Sequence, residues 1–237
     1  FPAHLHRVIE FDGKSGTVTV EPGINYGKLQ QTLLTHDRFL PPYPASIEYS
    51  TLGGAVANNA SGEKSLKYGS TIDYVQGLRV VLANGEVIET KRLNKRELNK
   101  KLGLSTLEGE IYRQLDSLIE ENHELLNQMQ LQTTKNTAGY ALADVKLKDG
   151  SFDLTPLFVG AQGTLGIITQ ITLQTEEHTP SSTLVVAYFN ELQQAAKAIE
   201  ELRSLPESPS AMEMVDDHLL QMVDTINPNL LKGVLDK

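Results

Sequence analysis

The chain contains no cysteine in its 237 residues. Disulfides, thiolate metal sites, a cysteine nucleophile, iron–sulfur ligation and a cysteinyl cofactor link are therefore excluded within it. It has no apolar run of about 18 residues, the length a membrane-spanning helix needs. It also lacks a charged-then-apolar leader of secretory type. Phe1-Pro2-Ala3 opens directly into a strand-like segment, which reads as the interior of a longer protein. These features fit a cytoplasmic setting. The six histidines are scattered, and His4 and His6 have no third ligand at useful spacing, so no metal site is expected. A net charge of −9 disfavours nucleic acid as a partner.

What remains is enough to fold. Apolar residues make up 40% of the chain, and its length suits one large domain or one and a half smaller ones. Charge is uneven. Residues 1–104 carry 13 basic and 10 acidic groups, net +3, and residues 105–237 carry 8 basic and 20 acidic groups, net −12. Much of the basic excess sits in Lys91, Arg92, Lys95, Arg96, Lys100 and Lys101, a tract that reads as a solvated helix face.

The most informative stretch is Pro41–Val75, PPYPASIEYSTLGGAVANNASGEKSLKYGSTIDYV. It is dense in Gly, Ala, Ser, Thr and Asn, which is weak material for a core. Small residues suit places where backbone must approach something closely. Gly53 and Gly54 have no Cβ, so peptide N–H groups there could reach a ligand. Thr51, Ser61 and Ser70 add hydroxyls, and Asn58 and Asn59 add amides. Exposed N–H groups at a helix start would make an anion cradle. The alternative is a glycine turn feeding a small-residue helix. Two other phosphate signatures fail. Gly160, Gly163 and Gly166 are spaced G-x-x-G-x-x-G with no helical run after them, which is not a Rossmann fingerprint, and Glu63 interrupts the Gly-Lys-Ser core a P-loop needs.

The whole string, PP-x-P-x-S, TLGG-x-x-ANNASG and KYG-x-T-x-DYV-x-GL-x-VVLA-x-G, resembles the flavin-binding (PCMH-type) domain of the vanillyl-alcohol oxidase superfamily. Within it the chain looks most like the D-lactate, glycolate and D-2-hydroxyglutarate dehydrogenase branch. A second block, DLTPLFVGAQGTLGIITQITL at Asp153–Leu173, is similar to that family's later flavin motif. Together the likeness spans Val8 to Leu173.

The resemblance implies a domain of two α+β lobes with FAD between them, this chain being the second lobe. It implies contacts along the pyrophosphate and isoalloxazine edge from Pro44, Ser46, Thr51, Leu52, Gly53 and Gly54. Asn58, Ser61 and Gly62 would line the same channel, and Tyr68 and Gly69 would close it. Gly163, Gly166 and Ile168 would hold the adenosine end. The family usually has Pro-Ser-Ser where this chain has Pro44-Ala45-Ser46, and Glu where it has Gln162. The first lobe's Gly-rich loop would lie before Phe1, and the substrate-binding His-rich segment is absent. No residue here can be named catalytic.

Local pattern completes the expectation. Arg7–Phe11 and Thr17–Glu21 read as a hairpin. Asn25 should cap a helix over Tyr26–Thr35 that buries Leu29, Leu33 and Leu34. A short helix is expected over Ala55–Ala60 and a polar loop over Lys64–Tyr68. Asn84-Gly85 should turn a hairpin between Val75–Ala83 and Glu86–Thr90. Thr90 to Leu104 is helical in composition. Ser105 and Glu108 resemble a capping box before a five-turn amphipathic helix carrying Ile111, Leu115, Leu118, Ile119, Leu125 and Leu126. Gln132–Leu142 is a polar loop, and Ile167–Gln174 a β-branched strand. Beyond Pro180, Leu184–Phe189 should be a strand. Asn190 and Ser210-x-x-Glu213 should cap helices over Leu192–Leu205 and Met214–Ile226.

The expected fold is thus α+β: an FAD-binding domain over 1–178, then the start of a substrate (cap) domain over 179–237. The expected activity is FAD-dependent oxidation of a D-2-hydroxy acid, with noncovalent FAD and a small-molecule substrate. The electron acceptor is open. An alternative is an NADPH-dependent reductase of the cell-wall precursor (UDP-N-acetylenolpyruvoylglucosamine reductase) type, and another is a flavin-binding fragment with no catalysis of its own.

Overall fold

The computed structural model describes residues 3–128, 133 and 135–231. Its centre is a five-stranded antiparallel sheet. The strands are β1 (Val8–Asp12), β2 (Thr17–Val20), β4 (Val75–Val81), β5 (Val87–Lys91) and β6 (Ile167–Gln174), in the order β1-β2-β6-β4-β5. A two-residue strand β3 (Arg38–Phe39) pairs with β7 (Glu176–Glu177). The class is α+β, as the sequence implied.

Alternation explains the central strands. In β2, Thr17-Val18-Thr19-Val20 sends both valines into the core and both threonines outward. The outward Thr19 meets Thr172 of β6 across the ladder, with hydroxyls 2.9 Å apart. On the buried face Val18, Val20, Leu78, Val80, Ile88, Ile171 and Leu173 pack together. The strand β6 joins two pieces of chain far apart in sequence, pairing Val20 with Ile171 on one side and Leu78 with Ile171 on the other.

Helix α1 (Tyr26–Leu34) covers this face, and Asn25 caps it by accepting the Lys28 N–H. Leu29 and Leu33 are buried, but Leu34 is 42% exposed. One residue past Leu33 is about 100° around the helix, which carries it off the buried stripe. Helix α2 (Leu52–Ala57) begins three residues before the expected start, because Thr51 is extended and caps it through the Gly54 N–H. The segment expected as a loop contains a single helical turn, α3 (Ser65–Tyr68), stopped by Gly69 at φ +85°.

Further corrections follow the caps. Strand β5 runs through Lys91, so α4 (Lys95–Leu102) starts only at Asn94, which forms a reciprocal capping box with Glu97. Thr106, not Ser105, caps α5 (Leu107–Glu121), accepting the Gly109 N–H. Glu108 is instead drawn to Lys101, 2.5 Å away. The expected five-turn helix breaks at Asn122, and α6 (His123–Gln128) follows separately, leaving Leu118 and Leu125 exposed. A short helix α7 (Thr155–Phe158) then leads into β6.

Beyond residue 180 the pattern departs most. Leu184–Phe189 adopts no strand, and its apolar side chains are exposed. The helices α8 (Leu192–Arg203) and α9 (Asp217–Ile226) follow Glu191 and Asp216, not Asn190 and Ser210. Asp216 wins because its carboxylate accepts the Leu219 N–H at 2.8 Å. No described residue of 181–227 is buried. None of the described helices is long and apolar enough to cross a membrane.

Candidate functional site

The site is built where the 41–75 stretch folds back on itself. Pro41, Pro42 and Pro44 hold the entry extended. The chain then turns through Ser46–Ser50, where Ser50 Oγ donates to the Ser46 carbonyl at 3.0 Å. Asn25 fixes this turn from outside by donating its side-chain amide to the Glu48 carbonyl at 2.8 Å. Helix α2 leaves the turn, and Asn59 ends it with φ +46°. That left-handed residue is buried and works as a staple. Its Oδ1 accepts the Ile72 N–H at 2.9 Å, and its Nδ2 donates to the Asn136 carbonyl at 3.5 Å.

These pieces enclose a cleft of about 430 Å³ lined by Pro44, Ser46, Ser50, Thr51, Gly54, Ala55, Asn58, Asn59, Ala60, Ser61, Lys135 and Thr137. A second depression of about 580 Å³ adjoins it, bordered by Tyr43, Ala45, Ser61, Gly62, Glu63, Ser65, Leu66, Lys135 and Glu213. Of the residues expected at a flavin site, Pro44, Ser46, Thr51, Gly54, Asn58 and Ser61 come together in the first cleft, and Gly62 borders the second. Leu52 is fully buried in the core. Tyr68 sets its ring edge-on to Phe39, away from both depressions. Gly163, Gly166 and Ile168 also lie outside them.

The expected anion cradle of N–H groups at the helix start is not formed. The Leu52 N–H donates to the Ile24 carbonyl at 2.9 Å, that of Gly53 to Pro22 at 2.7 Å, and that of Gly54 to Thr51 Oγ1 at 3.2 Å. A six-residue helix whose first donors are consumed offers little positive end. The donors left over lie elsewhere. The Ser46 and Ser61 N–H groups have no partner among the described residues, and Ser61 Oγ is buried with none. A buried unpaired hydroxyl costs about 1–3 kcal/mol, and of those in the described residues this is the one that lines the cleft.

The six glycines expected at the site divide in two. A Cβ on Gly53 would stand 2.7 Å from Pro22 Cβ, and one on Gly166 would stand 2.6 Å from Val80 Cγ1. One on Gly62 would overlap the Tyr43 carbonyl oxygen, and one on Gly69 the Asp73 carboxylate. These four are required by the protein's own packing. Gly54 would meet only Thr51 Oγ1, at 3.3 Å, and Gly163 meets nothing within 4 Å. Space stands open at Gly163, while at Gly54 the cap oxygen of Thr51 would have to give slightly.

The two sequence blocks are brought into contact. The Gly160 N–H donates to the Val56 carbonyl at 2.8 Å and that of Gln162 to Ala57 at 2.9 Å, docking the later loop on the end of α2. Gly160, Gln162 and Gly163 all have positive φ, which makes the tight path of that loop possible. Around the cleft, Tyr43 donates to Glu63 at 2.7 Å. Its phenol is pushed well above the ordinary range by burial and then by that carboxylate. Tyr26 is likewise raised by burial, and its hydroxyl has no partner among the described residues. Among the described residues no group of three or more His, Asp or Glu is placed to hold a metal.

Sequence reasoning named Asn59 for its amide and missed Ser50, Lys135 and Thr137 as cleft residues. Lys135 and Thr137 lie in the polar TTKNTAGY run, where only tertiary contact reveals their neighbours. Asn59 carried a usable signal, since Asn is the side chain that best tolerates a left-handed turn after a helix.

Comparison with known proteins relates the chain to flavin-binding proteins. Residues 2–91 match the family described as FAD binding domain. The chain is 28% identical to the glycolate oxidase subunit GlcD of Bacillus subtilis over 221 residues, covering 93% of this chain and 36% of that protein. It is 33% identical to D-2-hydroxyglutarate dehydrogenase of Escherichia coli, covering 92% of this chain and 21% of that protein. It is 24% identical to D-lactate dehydrogenase of Anaerostipes hadrus, covering 91% and 34%. A solved structure of an alkyldihydroxyacetonephosphate synthase shares the fold, with TM-score 0.61 and 20% identity over 97% of this chain and 32% of that one.

These findings place residues 2–91 among the FAD-binding domains, of PCMH type. The chain's relatives are a glycolate oxidase subunit and the D-2-hydroxyglutarate and D-lactate dehydrogenases, and its cofactor is FAD. The chain spans between about a fifth and just over a third of the length of these relatives.

Proposed function

We propose that this chain is part of an FAD-dependent oxidoreductase that oxidises a D-2-hydroxy acid of the lactate, glycolate or 2-hydroxyglutarate type, and that it holds FAD without a covalent bond. The observation that carries the reading is the cleft beside α2. Its floor has no side chain at Gly54, and it contains a buried Ser61 hydroxyl with no partner among the described residues. The fit to a phosphate-bearing dinucleotide is chemical, since the polar groups of the described lining are hydroxyls, amides and one lysine, with no carboxylate. The relatives' names share a 2-hydroxy acid as the thing acted on, which supports the substrate class. The cell-wall precursor reductase reading has no such support.

In this proposal Ser46, Thr51, Gly54, Asn58 and Ser61 bind the cofactor along the cleft, Pro44 sets the wall, and Gly62 brings the backbone close beneath Tyr43. Gly53 and Leu52 act indirectly, by seating α2 on Pro22 and the core. Tyr68 and Gly69 close the far side, and Gly163, Gly166 and Ile168 hold the adenosine end from the docked later loop. When bound, FAD supplies the hydride acceptor, and the protein positions it and tunes it. Residues 1–178 would form the FAD-binding domain and 179–237 the opening of a substrate domain.

Titration of FAD against the chain tests this, followed by flavin fluorescence. Saturable quenching is expected, either with the chain alone or when it is part of a longer protein that carries it. In that longer protein a D-2-hydroxy acid should bleach the bound flavin and NADPH should not. No binding in either form would remove the flavin reading.

A further inference from the structure

Ser61 and Lys135 are the two residues common to both depressions, although 73 positions separate them in the chain. We propose that they form an oxyanion-binding pair. Ser61 brings a buried hydroxyl and a backbone N–H, neither with a partner among the described residues. Lys135 brings a cation that makes no ion pair among them. Its loop is anchored at the site, because Asn59 donates to the Asn136 carbonyl and the Asn136 side chain accepts the Ala138 N–H at 3.0 Å.

The charge balance of the first cleft points the same way. Lys135 is its one charged residue among those described. In the adjoining depression Glu63 is engaged by the Tyr43 hydroxyl, and Glu213 stands at the border without an ion pair to Lys135. A lysine lining the same cleft as unpaired N–H and O–H donors, with no carboxylate among the described lining residues, favours an anion with several acceptor oxygens. Under the flavin reading, on which the choice of ligand rests, that group is either the diphosphate of FAD or the carboxylate of the hydroxy acid.

The test uses the longer protein that carries this chain, freed of flavin, as wild type and as Lys135→Gln, Lys135→Arg and Ser61→Ala, each titrated with FAD, riboflavin, inorganic pyrophosphate and oxalate. Lys135→Gln should weaken FAD and pyrophosphate about tenfold and leave riboflavin unchanged, since one charge-assisted contact is lost. Lys135→Arg should restore most of the affinity. Ser61→Ala should weaken the same ligands without lowering the melting temperature, because its hydroxyl has no partner to lose. A tenfold loss for oxalate alone would assign the pair to a carboxylate. Binding of FAD, pyrophosphate and oxalate to Lys135→Gln within twofold of wild type would overturn the pair and leave the flavin reading standing. Lys135-dependent pyrophosphate binding without FAD binding would keep the pair and remove the flavin reading. No binding of any anion by wild type would overturn both.

Discussion

Gly62 and Gly54 show two uses of a missing Cβ within nine residues. At Gly62 the Tyr43 carbonyl already occupies the space a side chain would need. Gly62→Ala should therefore cost about 1–3 kcal/mol or more in urea denaturation, as overpacking against rigid backbone does. At Gly54 a Cβ would meet only the Thr51 hydroxyl, at 3.3 Å, which can give slightly, and the residue lies inside α2. Gly54→Ala should hold or raise stability by up to about 1 kcal/mol, the helix preference for alanine, while weakening FAD about tenfold. Equal loss of stability in both variants would contradict this division. Nothing in the local sequence separates Gly53 from Gly54. The distinction is made by Pro22, packed on one of them from 31 residues upstream.

Glu21 gives a second prediction at this scale. Its carboxylate accepts the Arg7 side chain at 2.9 and 3.2 Å and the Arg7 N–H at 2.8 Å, and these hydrogen bonds hold its pKa down from 4.5 to about 2. A carboxyl with a depressed folded pKa contributes stability above 4.5 and loses it as pH falls toward 2. Melting curves of wild type and Glu21→Gln should thus differ at pH 7 and converge by about pH 2. Curves that stay equally separated down to that pH would show that the pair does not work this way.

Among elements, the central strands were legible because alternation is a local code and one buried face suffices to fix it. The strand β6 and the Asn84-Gly85 hairpin stand where the pattern puts them. Helix starts were less legible, because adjacent Ser, Thr, Asn and Asp residues compete to cap and the winner is chosen by where the chain arrives. At α5 that winner is Thr106. Thr106→Ala should cost about 1 kcal/mol and Ser105→Ala almost nothing, read as shifts in urea midpoint. The reverse order would restore the Ser105–Glu108 box. The five-turn helix failed for a related reason. Apolar spacing continues through Leu125 and Leu126, but Asn122 turns its own side chain back to the Leu118 carbonyl at 2.9 Å and ends the helix there.

On the scale of the molecule, the sheet and its helices hold the core, and 181–227 contributes no buried residue to it among those described. Ending the chain at Pro180 should lower the melting temperature by no more than about 4 °C, equivalent to about 1 kcal/mol at this size. A larger fall, or loss of a cooperative transition, would show that the later helices support the sheet. Leu184–Phe189 has strand composition without a strand. A β-branched run forms a ladder only when another edge is available to pair with it, and composition cannot report that.

The sequence by itself determined the α+β class, the main strands, the FAD-binding relationship and the stretch around which the cleft is built, because each rests on local periodicity or on motif order. Only the tertiary structure decided what that stretch does. It assigns the helix-start N–H groups to Ile24, Pro22 and Thr51, leaves the Ser61 hydroxyl without a partner, and brings Lys135 to it through Asn59 and Asn136. The physical reason is that hydrogen-bond satisfaction is settled by which groups meet after folding, and residues far apart in the chain decide which donors remain for a ligand.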